Sequence, residues 1–128
     1  MPRYRLAPQH PFPAAILDSL ISYLYLLYPP PNAPHKAYTA DQIFLGGDSA
    51  GGGLATGLTQ LLLWLNAPDE QGNARKVRWL GEDREVPLPK ALIIISGWMD
   101  LARCFVEIGP GGRGGGSEMT CAAADYSK

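Results

Sequence analysis

Apolar residues recur every three or four positions between Pro13 and Tyr28. Leu17, Leu20, Ile21, Leu24, Leu27 and Tyr28 fall on one side of a helical wheel, with Asp18, Ser19, Ser22 and Tyr25 largely on the other. The pattern predicts an amphipathic helix that packs on a sheet and is stopped by Pro29-Pro30-Pro31. Tyr4-Arg5-Leu6-Ala7-Pro8 reads as the end of an extended segment. Pro8, Pro11 and Pro13 then keep the backbone from turning helical until the last of them, which fits a first helical turn. Tyr23, Tyr25 and Tyr28 are expected at the helix flank and the edge of the core.

After a connecting loop from Asn32 to Ala40, Asp41-Gln42-Ile43-Phe44-Leu45 predicts a short strand. It is continuously apolar toward its end, as a strand covered on both faces should be. A second helical pattern runs from Leu54 to Leu65, with Leu54, Leu58, Leu61, Leu62 and Leu65 on one side and Leu63 and Trp64 on the other. Apolar nearly all round, this helix is expected to be deeply buried. Gly52, Gly53 and Gly57 weaken it as a helix but allow close approach to the sheet, and Asn66-Ala67-Pro68 ends it. Asp69 to Pro89 reads as a polar loop broken only by Val77, Trp79 and Leu80. Ala91-Leu92-Ile93-Ile94-Ile95-Ser96 then gives a second buried strand. Strand, helix and strand make one right-handed crossover of a parallel sheet, so the fold class is α/β, with parallel strands flanked by helices. Trp98, Met99 and Leu101 are expected to cap the C-terminal end of that sheet. Beyond Arg103 the pattern fades: Gly109 to Gly116 is low-complexity and Ser117 to Lys128 has no period. The expected organisation is a domain over residues 1–103 followed by a Gly-rich, disordered tail over 104–128.

Composition narrows the function. A length of 128 residues fits one domain with a moderate core. A net charge of −1 gives no electrostatic footprint for nucleic acid or an anionic membrane. Arg75, Lys76, Arg78 and Arg84 are interleaved with Glu82, Asp83 and Glu85, which describes a solvated loop rather than a binding patch. Cys104 and Cys121 lie outside any metal or redox spacing, and two cysteines are too few for a disulfide framework. No apolar stretch reaches the length of a membrane span, and the N-terminus leads into no signal-peptide core. The expectation is a soluble, cytoplasmic protein.

The candidate chemistry lies between the first predicted strand and the second helix, in Gly46-Gly47-Asp48-Ser49-Ala50-Gly51-Gly52-Gly53. A serine on a sharp strand-to-helix turn is held in a strained backbone that exposes its hydroxyl. The pattern Gly47-x-Ser49-x-Gly51 in this context is that of a nucleophile elbow. Glycines two before and two after the serine are expected where a Cβ would clash with neighbouring backbone. The following helix aims its free N–H groups and positive dipole end at the place where an oxyanion would form. A Walker loop is excluded because Leu54 and Ala55 follow Gly53 in place of a Lys-Ser/Thr pair. The dinucleotide spacing fails too, since Asp48 and Ser49 fall where its second glycine would be.

Three stretches together resemble the hormone-sensitive-lipase-like branch of the α/β-hydrolases, the fold-3 family of esterases. They are Tyr4-Arg5-Leu6-Ala7-Pro8-Gln9-His10-Pro11-Phe12-Pro13-Ala14-Ala15, Gly47-Asp48-Ser49-Ala50-Gly51-Gly52, and Ser96-Gly97-Trp98-Met99-Asp100-Leu101. The family usually reads YRLAPEHPFPAA, GDSAGG and SPWxDL, so Gln9 replaces a glutamate and Gly97 a proline. The resemblance implies a serine esterase or lipase-like hydrolase of small, fairly apolar esters, with no metal and no cofactor. It makes Ser49 the nucleophile, the Ala50 backbone N–H an oxyanion donor and Gly47 and Gly51 the elbow glycines. Asp48 and Gly52 complete the elbow in structural roles. Asp100 matches a position that is not the catalytic carboxylate.

The sequence also departs from the family. The HGGG loop that supplies further oxyanion donors lies upstream of the YRLAP segment in the family, on a strand between that segment and the elbow strand. The family's triad runs Ser, Asp, His, whereas His10 and His35 both precede Ser49. His10 matches a position that shapes the loop before the first helix. The expectation is a truncated member, inactive alone. The alternatives are a non-catalytic protein that keeps an apolar pocket, or a non-functional truncated product.

Overall fold

A computed structural model describes residues 2–97. Helix α1 spans Ala14–Leu27, β1 Phe44–Asp48, α2 Ala50–Asn66, β2 Val77–Trp79, β3 Glu82–Arg84 and β4 Ala91–Ile95. The expected boundary at residue 103, the tail, Asp100 and the cap of Trp98, Met99 and Leu101 lie outside the described residues.

Helix α1 begins directly after Pro13, whose carbonyl accepts from the Leu17 N–H at 3.1 Å, and ends as the Tyr28 N–H reaches Leu24 O at 2.7 Å. Its buried face is turned from the expected one. Leu20, Tyr23, Leu24 and Leu27 point inward, while Leu17 and Ile21 are exposed. Tyr23, expected at the edge, is only 2% exposed, and its hydroxyl donates to Pro87 O at 2.8 Å. A tyrosine ring buries fully when its polar end finds such an acceptor.

The strand β1 starts three residues later than the pattern indicated. Ala40–Gln42 forms a 3₁₀ turn, closed by Gln42 N–H on Thr39 O and by Thr39 N–H on Gln42 Oε1 at 3.0 Å. The strand then runs through Gly46-Gly47 to Asp48. It pairs in parallel with β4, from Phe44 opposite Ala91 to Asp48 opposite Ile95. Side chains alternate across this two-stranded sheet. Ile94 lies toward α2, close to Gly52. The opposite face carries Phe44, Ile93 and Ile95, all more than half exposed. The burial expected on both faces is therefore not reached: the side toward α2 is only partly covered, with Ile94 still 36% exposed.

Helix α2 is likewise one-sided. Leu58, Leu62 and Leu65 are buried against Leu20, Tyr23, Leu24 and Leu27 of α1, with Ile43 and Val86 completing the core. Leu63 and Trp64 are exposed, contrary to the expected all-round burial. No helix among the described residues is long and apolar enough to cross a membrane.

The stretch expected as a polar loop contains a hairpin. Its strands β2 and β3 pair antiparallel, Val77 to Arg84 and Trp79 to Glu82. The turn residues Leu80 and Gly81 both take positive φ, 49° and 90°, as the tightest hairpin turns demand. Val77 and Trp79 pack on the core, and Trp79 Nε1 donates to Tyr28 O at 2.8 Å. Downstream, three successive carbonyls are taken by side chains on or just past the two helices: Glu85 O by Tyr28, directly after α1, Val86 O by Asn66 and Pro87 O by Tyr23. The charged residues of this stretch pair among themselves, Arg78 with Asp83, Arg84 with Glu82 and Lys76 with Glu85. Arg75 instead caps the end of α2, donating to Trp64 O and Ala67 O at 2.8 Å while stacking over the Trp64 ring.

Candidate functional site

Ser49 stands between the last residue of β1 and the first of α2, with φ 53° and ψ −120°. A non-glycine residue in such a conformation costs about 1–3 kcal/mol and persists only where its surroundings over-determine it. Here they do. The Ser49 N–H donates to Ile95 O at 3.0 Å, carrying the parallel ladder one step past β1. The Ser49 carbonyl accepts from Gly52 N at 3.0 Å and Gly53 N at 3.2 Å, the bonds that begin α2. The first-turn N–H groups of Ala50 and Gly51 have no intrahelical acceptor, as at any helix start, and their dipoles favour negative charge beside Ser49.

The glycines divide unequally. A Cβ on Gly47 would lie 2.1 Å from Gly51 O and 2.6 Å from Gly52 N. A Cβ on Gly52 would lie 2.7 Å from the Gly97 Cα, whereas one on Gly51 would meet nothing among the described residues within 4 Å. The close approach expected at Gly51 thus falls at Gly52, because α2 crosses the end of β4 three residues after the serine rather than two. Asp48 ends β1 in an exposed position opposite Ile95.

A cleft of about 600 Å³ runs beside this turn, between residues 4–13 and the first half of α2. Leu6, Phe12, Ile16 and Leu54 give it an apolar lining, and Ala50, Gly53 and Gly57 leave its helix wall low. Ser49 is not among the residues that line it; Ala50 is. The outer segment is tied to α1 by Arg5. Its backbone N–H donates to Asp18 Oδ2 at 2.8 Å, and its guanidinium reaches Oδ1 at 2.8 Å. Those hydrogen bonds hold the Asp18 carboxyl at a pKa of about 2 and push Arg5 upward. The cationic side chain at the cleft is therefore already neutralised.

Of the two histidines, His10 lines the cleft. His35 lies elsewhere, its ring centroid 5.2 Å from Tyr25 and 5.5 Å from Tyr38, with Nδ1 2.8 Å from Lys36 O. The structure also brings in two residues not assigned to the site from sequence, Ser96 with φ 47° and Gly97 against Gly52. The available signal was a Ser-Gly pair closing an apolar strand.

A family model described as alpha/beta hydrolase fold matches residues 1–108. The chain is similar to an acetyl-hydrolase of Streptomyces hygroscopicus, with 36% identity over 99 residues, covering 77% of this chain and 24% of that protein. It is similar also to carboxylesterase NlhH of Mycobacterium tuberculosis, with 38% identity over 65 residues, covering 51% of this chain and 19% of that protein. The chain thus spans a quarter or less of the length of these relatives. No solved structure matches it.

Proposed function

The chain belongs to the α/β-hydrolase fold family, and on that premise we propose that it carries the nucleophile portion of a serine hydrolase acting on small, apolar carboxylic esters. The observation that carries the proposal is the backbone of Ser49, at φ 53° between a parallel strand and the start of a helix. In the proposed reaction Ser49 Oγ attacks the ester carbonyl and the Ala50 N–H stabilises the developing oxyanion. The serine proton passes through a histidine base, supplied from outside these 128 residues, to the departing alcohol oxygen. The alcohol leaves, and water then releases the acyl group from the serine. Gly47 and Gly52 permit the turn; Asp48 and Gly51 complete it. The proposal needs no cofactor. The apolar cleft beside Ala50, with Arg5 neutralised by Asp18, supports an uncharged substrate. The hydrolase part is assigned to residues 1–103.

The 128 residues hold no HGGG stretch, and both histidines precede Ser49. A serine without a base is a weak nucleophile, and losing one oxyanion donor costs about a hundredfold or more in rate. The chain by itself is therefore expected to be nearly inactive. Incubation of the purified chain with a fluorophosphonate, followed by peptide mass spectrometry, tests this. Slow labelling confined to Ser49, abolished by urea and by Ser49→Ala, is the expected result. Labelling spread over Ser19, Ser22 and Ser96, or unchanged in Ser49→Ala, would overturn the assignment. Rapid labelling at Ser49 would refute the missing base. A second reading, a non-catalytic protein that holds an apolar ligand, is favoured by the absence of Ser49 from the cleft lining.

A further inference from the structure

We propose that the Ser96-Gly97 turn at the end of β4 is a positioning element for Ser49, a role that rests on Ser49 being the nucleophile. Two contacts and one strained dihedral converge on it. The Ser49 N–H donates to Ile95 O at 3.0 Å, the last bond of the parallel ladder, made one residue past the end of β1. Ser96 turns the chain at φ 47°, a conformation that L residues seldom adopt. Gly97 then lies so close to the first turn of α2 that a Cβ on Gly52 would fall 2.7 Å from its Cα.

These contacts are mechanically linked. The Ile95 carbonyl and the Ser96 N–H belong to one rigid peptide plane. The φ of Ser96 sets the direction in which the chain leaves that plane. If Ser96 relaxed to negative φ, Gly97 would swing off Gly52, or the plane would rotate and draw Ile95 O away from the Ser49 amide. The second movement breaks one of the bonds that fix the strained dihedrals of Ser49, and the first removes the packing on the helical turn that follows it. Strain of this kind survives only while the surroundings enforce it. The turn after β4 thus reaches the nucleophile through its backbone, without touching a substrate.

Three variants test the role. Ser96→Val places a β-branched residue at positive φ, where it is least tolerated. Ser96→Gly accepts that φ freely. Leu80→Val imposes the same kind of strain at φ 49° on the distant hairpin turn and serves as the control. Two readouts are taken on the whole chain: the rate of fluorophosphonate labelling at Ser49, and hydrogen exchange of the Ser49 amide. Ser96→Val is expected to slow labelling roughly tenfold to a hundredfold, the scale of a sub-ångström to ångström misplacement, and to deprotect the Ser49 amide. Ser96→Gly recovers both relative to Ser96→Val, and Leu80→Val lowers stability while leaving both unchanged. The proposal is overturned if Ser96→Val and Leu80→Val behave alike, or if Ser96→Val leaves the Ser49 amide protected. Should the unaltered chain label at serines other than Ser49, the nucleophile assignment falls, while the exchange measurement still decides whether the turn holds the Ser49 backbone.

Discussion

Substituting Gly47 and Gly51 separately by alanine discriminates between the geometry of the elbow and its sequence pattern. The pattern treats the two glycines as equivalent, flanking Ser49 at equal distance. The structure does not. At Gly47 the new methyl would lie 2.1 Å from Gly51 O and 2.3 Å from its carbonyl carbon, more than an ångström inside ordinary contact, and both are backbone atoms. Relief requires moving β1 away from α2, which also disturbs the pairing of Gly47 with Ile94. Overpacking typically costs about 1–3 kcal/mol, and with no side chain free to yield the upper end applies. With a urea dependence of about 1.5 kcal/mol per molar for a small protein, Gly47→Ala should lower the unfolding midpoint by about 2 M. Gly51→Ala meets nothing among the described residues within 4 Å, on a helical residue. It should gain a few tenths of a kcal/mol from reduced backbone entropy and raise the midpoint slightly. Urea titrations followed by circular dichroism at 222 nm measure both. Equal losses for the two variants, or a larger loss for Gly51→Ala, would refute the placement of the close approach.

Three further outcomes follow from the packing and the charges. The Asp18 carboxyl, held at about 2 by Arg5, has a folded pKa below its ordinary value, so its contribution is present above about pH 4 and is lost as the pH falls toward 2; the stability gap between the parent chain and Asp18→Asn should close over that window in pH-dependent urea titrations. Burial pushes the Tyr23 hydroxyl up to about 12, so folding favours the neutral phenol and stability should fall between pH 10 and 12. Tyr23→Phe should abolish that alkaline loss while costing about 1 kcal/mol at neutral pH through the lost bond to Pro87 O. Leu62, fully buried in the core that α2 shares with α1, should cost about 2–5 kcal/mol on truncation to alanine, whereas Leu63→Ala on the exposed side should change the urea midpoint little.

The sequence by itself determined the order of the main elements and the place of the candidate nucleophile. Those features are local. A helix repeats its apolar residues near 3.6 positions, a covered strand is a short apolar run, and proline stops at Pro13, Pro29 and Pro68 act on their own neighbourhood. The elbow was legible for the same reason, since its glycines and serine lie within a few residues of one another. Tertiary structure decided which sides of those elements are buried and which residues meet. Tyr23 faces inward while Leu17 and Ile21 do not, because the acceptor for its hydroxyl is Pro87, sixty-four residues away. The hairpin is not legible in the sequence because its strands are three residues long and carry mostly charged side chains; the packing of Val77 and Trp79 on the core and the Trp79 bond to Tyr28 O hold it in place. The tight glycine is Gly52 rather than Gly51 because α2 crosses the end of β4 at that residue. A pattern of residue types sets local backbone preferences; the angle at which two elements cross is set by contacts between residues far apart in the chain.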